Sequence, residues 1–239
     1  MAEPIDSLVV KLASSIPAPV RGFVPTGARR LFAERPITRT VTFEGHSFDF
    51  TAPLRTVTRA QQRGIESAIC RLILAETPTG GTCIDVGANY GFITRVMAIA
   101  TGERGRVVAF EADHEIAATL AAAAIRSGLT AVEVVGRPVG TDHIRLDEFR
   151  SDFGRVDVLK IDVDGPELDV LSTARKLLVE HHPIVVVELN RDEDEIYALL
   201  CELGYTHFTG MLNEVVVPGT WPPNLIAATR EVSIPRVVQ

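Results

Sequence analysis

Acidic residues recur at the ends of apolar runs in this chain, and glycines follow the first of them. Residues 83–95 read CIDVGANYGFITR: an apolar run closes on Asp85, and Gly87 and Gly91 then bracket Ala88, Asn89 and Tyr90 before a helical pattern begins. Glycines in such a turn remove side chains where backbone must pass close to a ligand. The next apolar run, VVAFEAD, ends on Glu111, about 20 residues after the turn, where a carboxylate can accept hydrogen bonds from both ribose hydroxyls of an adenosine cofactor. Asp85 would then approach the far end of that cofactor, directly or through water, and the adenine would lie near Val135, Gly136 and Arg137. A nicotinamide dinucleotide is the alternative, but its G-x-G-x-x-G fingerprint needs a glycine where Asn89 stands, and a side chain there crowds a pyrophosphate.

A second set of acids closes two later runs. VLKIDVDGPELDVL puts Asp162 and Asp164 at the end of one strand and Glu167 at the entrance of the next helix, and VVVELNRDED puts Glu188 and Asn190 at the end of the following strand. Neighbouring strands lie under about 5 Å apart, so Asp162, Glu188 and Asn190 can converge on a hard cation held by oxygen, Mg2+ first. Asp164 and Glu167 are candidates to accept a proton or to hold substrate hydroxyls. Simple helix capping, with Pro166 in the first turn, is the competing explanation for both. Glu66, in QQRGIESAICRLIL, either reaches the cofactor's amino group or favours the start of its helix. Trp221 could stack on a sugar ring or simply pack, and His114 and His143 read as solvated loop residues.

These residues need a scaffold that brings strand ends together. From Cys83 onward, strand-length apolar runs alternate with segments of helical period, which predicts βα units and a mainly parallel sheet. Strands are expected at 82–86, 106–111, 132–135, 156–161, 183–188, 205–209 and 225–229, and helices at 91–101, 114–127, 166–180 and 192–203. Asp113 should cap the second of those helices and Gly128 end it. In such sheets ligands sit beyond the carboxyl ends of the strands, where the acids are. Residues 1–60 read as an N-terminal arm and a β-hairpin turning at Glu44-Gly45, a lid or a dimer contact, and residues 61–239 as the sheet-bearing domain.

Bulk composition narrows the function. The 239 residues carry 46% hydrophobic and 23% charged side chains, ordinary for a globular protein able to build one large core. With Lys+Arg 24 against Asp+Glu 31 the net charge is -7, which disfavours nucleic acid as a partner. Cys70, Cys83 and Cys201 are odd in number and scattered, so they read as buried packing residues rather than a metal knuckle or disulfide framework. The N-terminus lacks the pattern of a signal peptide and no stretch is long enough to span a bilayer, so a cytoplasmic protein without a membrane partner is expected.

The motifs IDVGANYGFIT, VVAFEAD, RLDEF and VDVLKIDVDGPELDVL, followed by PIVVVELN, resemble in content and order the FkbM-type methyltransferases, with their DVGANxG turn, AFEP strand end, LDD segment and KIDVEGxE block. The resemblance implies an α/β, class I methyltransferase (Rossmann-like) fold, doubly wound around a mainly parallel seven-stranded sheet. It implies S-adenosyl-L-methionine bound by Asp85, Gly87, Asn89, Gly91, Glu111 and Glu66, and O-methylation of a small-molecule or oligosaccharide hydroxyl, a mannoside among the candidates. Asp162, Glu188 and Asn190 are similar to the ligand set of metal-dependent O-methyltransferases of related fold. The chain departs from the family where Asp164 replaces Glu in the DVEG block and where the stretch before RLDEF is short, which puts the adenine pocket in question. Gly165 stands where related metal enzymes carry a basic residue, so the base must come from elsewhere. A metal-independent methyltransferase and a non-catalytic cofactor-binding subunit remain as competing readings, and the arm favours a homodimer.

Overall fold

A computed structural model describes residues 35–235; the arm that precedes them lies outside the described residues. A hairpin of β1 (Pro36–Phe43) and β2 (His46–Pro53) leads into the helices α1 (Leu54–Arg63) and α2 (Ser67–Glu76). One sheet then takes β3 (Thr82–Val86), β4 (Arg106–Phe110), β5 (Val132–Val135), β6 (Val158–Ile161), β7 (Ile184–Glu188), β8 (His207–Thr209) and β9 (Asn224–Ala228). Between them run α3 (Phe92–Thr101), α4 (His114–Arg126), the short α5 (Arg150–Phe153), α6 (Glu167–Ser172), α7 (Arg175–His181) and α8 (Glu193–Glu202). The order is β5-β4-β3-β6-β7-β9-β8, parallel except for β9, which runs antiparallel to both neighbours. Every expected strand forms, with ends shifted by a residue or two.

The strands are apolar throughout because both faces are covered. Ile84 and Val86 of β3, with Leu159, Ile161, Val185 and Val187, build the core shared with α6, α7 and α8. Cys83, Val158 and Val186 face the other way, into a core with α1, α2, α3 and the hairpin. Left-handed backbone at Glu44 and Gly45, φ 46° and 80°, closes the two-residue turn expected there. The hairpin's inner face is used within the chain: the rings of Phe43, Phe48 and Phe50 lie 6.0, 5.6 and 5.4 Å from that of Phe92, the first residue of α3. Each such buried ring contributes about 1.5–3 kcal/mol, so the hairpin fixes the start of the helix that follows the glycine turn.

Two expectations need correction. The helix expected at 166–180 is two helices, α6 and α7, because the RLDEF segment inserts at their junction. Asp147 accepts hydrogen bonds from the backbone N–H of Lys176 (3.2 Å) and Leu177 (2.9 Å), capping α7, while its own N–H donates to the carbonyl of Thr173 at 2.9 Å. Cys201 is exposed on α8, unlike the buried Cys70 and Cys83, and all three are free thiols. Trp221 packs, with its ring 5.3 Å from that of Tyr197 on α8, and does not line the cavity described below. Asp113 caps α4 as expected, accepting from Glu115 N and Ile116 N. Among the described residues no helix is long and apolar enough to cross a membrane.

Candidate active site

The sheet reverses its winding at β3, whose neighbours are β4 on one side and β6 on the other. Register then decides which residues meet. Val86 pairs with Phe110 and with Ile161, and Ile161 pairs with Val187. The next residue on each strand is therefore Gly87, Glu111, Asp162 or Glu188, so residues distant in sequence leave the sheet side by side. A cavity of about 1180 Å³ opens there, lined by the turn 86–93, by Glu66 and α1, and by Glu111, Lys160, Asp162 and Asp164. It occupies the crevice at the switch point where α/β sheets bind ligands.

The glycine turn is constrained from two directions. Gly87 has φ 79°, and a Cβ there would lie 1.7 Å from the carbonyl oxygen of Asp162. Gly91 has φ 81° and would press its Cβ to 2.2 Å from Leu120 of α4. Neither position admits a side chain without moving a neighbour. Asn89, also left-handed at φ 52°, donates its backbone N–H to Glu111 Oε2 at 2.7 Å, and its side-chain oxygen accepts from the N–H of Tyr90 at 2.8 Å. Glu111 Oε1 accepts from Asp113 N at 2.9 Å. The carboxylate thus clamps the turn, yet with about four lone-pair sites it keeps two for further donors.

Asp85 stands beneath the cavity wall rather than on it. It is 0% exposed, and its Oδ2 accepts from the Thr94 hydroxyl at 2.6 Å. Between it and the cavity stands Lys160, a residue the motif reading passed over. Asp85 and Lys160 are cross-strand partners, and the Lys160 Nζ lies 3.5 Å from Asp85 Oδ1, 3.2 Å from Asp162 Oδ2 and 3.3 Å from the Gly87 carbonyl, to which it donates. Burial alone would lower the lysine's pKa, but the carboxylates of Asp85, Asp162 and Glu66 together outweigh it and hold Lys160 charged, its pKa raised. One ammonium thereby ties β3, the glycine turn and β6 together. The available signal was a lone charge inside the otherwise apolar run VLKI.

Glu66 stands at the N-cap of α2, left-handed at φ 47°, and makes no side-chain cap bond to the helix. It lines the cavity with a buried, unpartnered Oε2. Burial pushes its carboxyl above the usual range, Lys160 opposes this, and Asp162 and Asp85 reinforce it.

Beside the turn, carboxylate oxygens of Asp162, Asp164 and Glu188 lie within 4.8 Å of one another. Asn190, expected as a ligand beside them, gives its amide N–H to Glu188 Oε2 at 2.7 Å and to Glu167 Oε1 at 3.0 Å. Its amide nitrogen orients Glu188, and Asp164 supplies the third carboxylate. Burial raises the pKa of Glu188, the Asn190 amide lowers it, and Asp162 and Asp164 raise it again. Like charges so close suit a small cation with oxygen ligands. Glu167, expected at the chemistry, is 0% exposed and accepts from Gly165 N at 2.9 Å. It does not line the cavity; it fixes the loop that carries Asp164.

Comparisons with known proteins agree with this architecture. The fibrillarin of Aeropyrum pernix, solved with natively bound S-adenosyl-L-methionine, superposes with a TM-score of 0.50 at 14% identity, over 80% of this chain and 82% of that one. A SAM-dependent O-methyltransferase from Thermotoga maritima gives 0.49 at 16% identity, over 84% and 79%. The methyltransferase FkbM from Methylobacillus flagellatus gives 0.47 at 21% identity over 62% of this chain, which spans 44% of its length. No curated protein sequence matches the chain. The fold is that of the class I, Rossmann-like methyltransferases, and residues 117–206, which include the KIDVDGPE block and the strand end at Glu188, match the Methyltransferase FkbM domain.

Proposed function

We propose that the chain is an S-adenosylmethionine-dependent O-methyltransferase acting on a hydroxyl of a sugar or saccharide, with a divalent cation held by Asp162, Asp164 and Glu188. The observation that carries this reading is that one cavity joins the glycine turn and Glu111 to Asp162 and Asp164, whose carboxylates cluster with that of Glu188. Bound there, S-adenosylmethionine supplies a sulfonium methyl open to in-line displacement. The chain's own task is to align the acceptor and make it nucleophilic. Glu111 has acceptor capacity left for the two ribose hydroxyls, and the bare backbone at Gly87 allows close approach. Asp85, Glu66 and Asp162 outnumber the single Lys160, so the adjoining wall carries net negative charge suited to a cationic methionyl end. Asp164, exposed and lining the cavity, can take the acceptor's proton, while Glu167 and Asn190 hold the loop and Glu188 in place. A divalent cation on the three carboxylates would lower the pKa of a ligated hydroxyl.

Calorimetric titration with S-adenosylhomocysteine tests the cofactor half. The native chain should bind, and Glu111→Ala should bind at least about tenfold more weakly, about 1.4 kcal/mol. Glu111 is the better target than Asp85, whose removal would leave Lys160 without its buried partner. A native chain that binds no S-adenosylhomocysteine would overturn the reading. Manganese binding, followed by water-proton relaxation, tests the metal half separately: binding that is weakened about tenfold in Asp164→Asn supports it, whereas no binding by the native chain leaves a metal-independent methyltransferase.

A further inference from the structure

We infer that the acceptor carries an anionic group, phosphoryl or carboxylate, gripped by Arg55, Arg59 and Arg63 at the cavity rim; this deepens the proposed function and rests on it. The three arginines are spaced four apart on α1 (LRTVTRAQQR), all three are exposed, and all three line the cavity. Arg137, after β5, lines it too. Among the described residues, none of these four side chains forms an ion pair or a side-chain hydrogen bond. Elsewhere on the surface Arg71, Arg106, Arg150, Arg175 and Arg230 are each paired with a glutamate. In a chain of net charge -7, acids are not scarce, yet α1 itself carries none; Arg59 interacts electrostatically with Glu66, which follows the helix.

Like charges at i and i+4 on a helix repel and weaken it, so this helix keeps its cavity face basic against its own stability. Arg55 to Arg63 spans eight residues, about 12 Å along the helix, more than a single phosphoryl group covers, so the flexible side chains either converge on one anion or grip two separated ones. Guanidinium groups are planar forks matched to phosphate and carboxylate oxygens. Asp162 and Asp164 line the same cavity, so an acceptor with one anionic end and one neutral hydroxyl end is oriented by charge: its anion is drawn to α1 and repelled from Asp162, Asp164 and Glu188. The hydroxyl is then the part that meets those carboxylates. Neutral saccharides gain nothing from this arrangement.

The test titrates inorganic pyrophosphate, and separately glucuronate, into the full chain saturated with S-adenosylhomocysteine, comparing native protein with the triple variant Arg55→Gln, Arg59→Gln, Arg63→Gln. Saturable binding of either probe to the native chain, weakened at least tenfold in a triple variant that still binds S-adenosylhomocysteine, supports the inference; the probe that binds tells phosphoryl from carboxylate. Should the triple variant not fold, the single Arg59→Gln variant takes its place, with at least a threefold loss expected. The inference fails if neither probe binds, if the variants bind as well as native, or if binding seen in the free chain vanishes on saturation, since the arginines would then serve the cofactor's own carboxylate. Loss of S-adenosylhomocysteine binding by the native chain strikes the proposed function instead, and pyrophosphate binding to the free chain still reads the arginines.

Discussion

The two halves of the site, the glycine turn and the carboxylate cluster beside it, are built on different physics. Around the glycine turn, the interactions are short, directional and complete within the chain: backbone N–H groups of Asn89 and Asp113 fill one side of Glu111, and Gly87 sits so tightly against the Asp162 carbonyl that no Cβ fits. Around Asp162, Asp164 and Glu188, the chain gathers carboxylates and leaves them in excess of the cations it supplies. The first arrangement fixes shape before anything binds. The second holds unbalanced charge, which a bound cation or a proton can neutralise. Lys160 is the bridge between them, since its ammonium touches Asp85 and Gly87 on one side and Asp162 on the other.

The sharpest way to break this contrast is Gly87→Ala. A left-handed φ together with a 1.7 Å approach to backbone should cost about 3 kcal/mol or more and weaken S-adenosylhomocysteine binding more than a hundredfold, read by urea denaturation and calorimetry. If both stay near native, the turn is not the rigid element described. Lys160→Ala comes next. It leaves Asp85 as an uncompensated buried charge, and truncating one partner of such a pair typically costs about 3–5 kcal/mol. The double variant Asp85→Asn, Lys160→Met should recover much of that loss, because it removes the stranded charge; equal destabilisation in the double and single variants would mean that packing, not charge, is at stake.

The smallest effect is at Glu66. Its folded pKa is raised above its ordinary 4.5, so folding favours the protonated form. That contribution is fully present below the unfolded value and is lost as pH rises through the folded value. Glu66→Gln should therefore melt above native at pH 8 and match it near pH 4. A variant that melts below native at pH 8 would show that its attraction to Lys160 outweighs the burial cost.

Much of the site was legible because parallel strands buried on both faces must be apolar until they end, so an acid after such a run marks the ligand-bearing edge. Asp162, Glu111 and Glu188 were found in that way. Lys160 was not, because a charge within a run reads as an interruption until its cross-strand partner Asp85 is known. The arginines of α1 were missed because the alternating sequence that drew attention was the hairpin before them. Glu167 and Asp147 were recognised as parts of motifs, but Asp147 caps α7 from a segment distant in sequence, and Glu167 joins the loop after β6 to Asn190 beyond β7. The long helix expected at 166–180 failed for the same reason: helical periodicity continues through Thr173 and Ala174, and only the insertion of RLDEF divides it.

What the sequence alone determined was the succession of βα units, the glycine turn and the acids that close the strands, since these follow from local periodicity and from the special backbone freedom of glycine. Tertiary structure decided which of those acids share a point in space. Register set Asp162 beside Glu188, the order of β4, β3 and β6 put both near the turn, and the fold carried α1 over the cavity. Charges interact through distance, and in this chain the distances that matter are between residues separated by tens of positions, which no local pattern records.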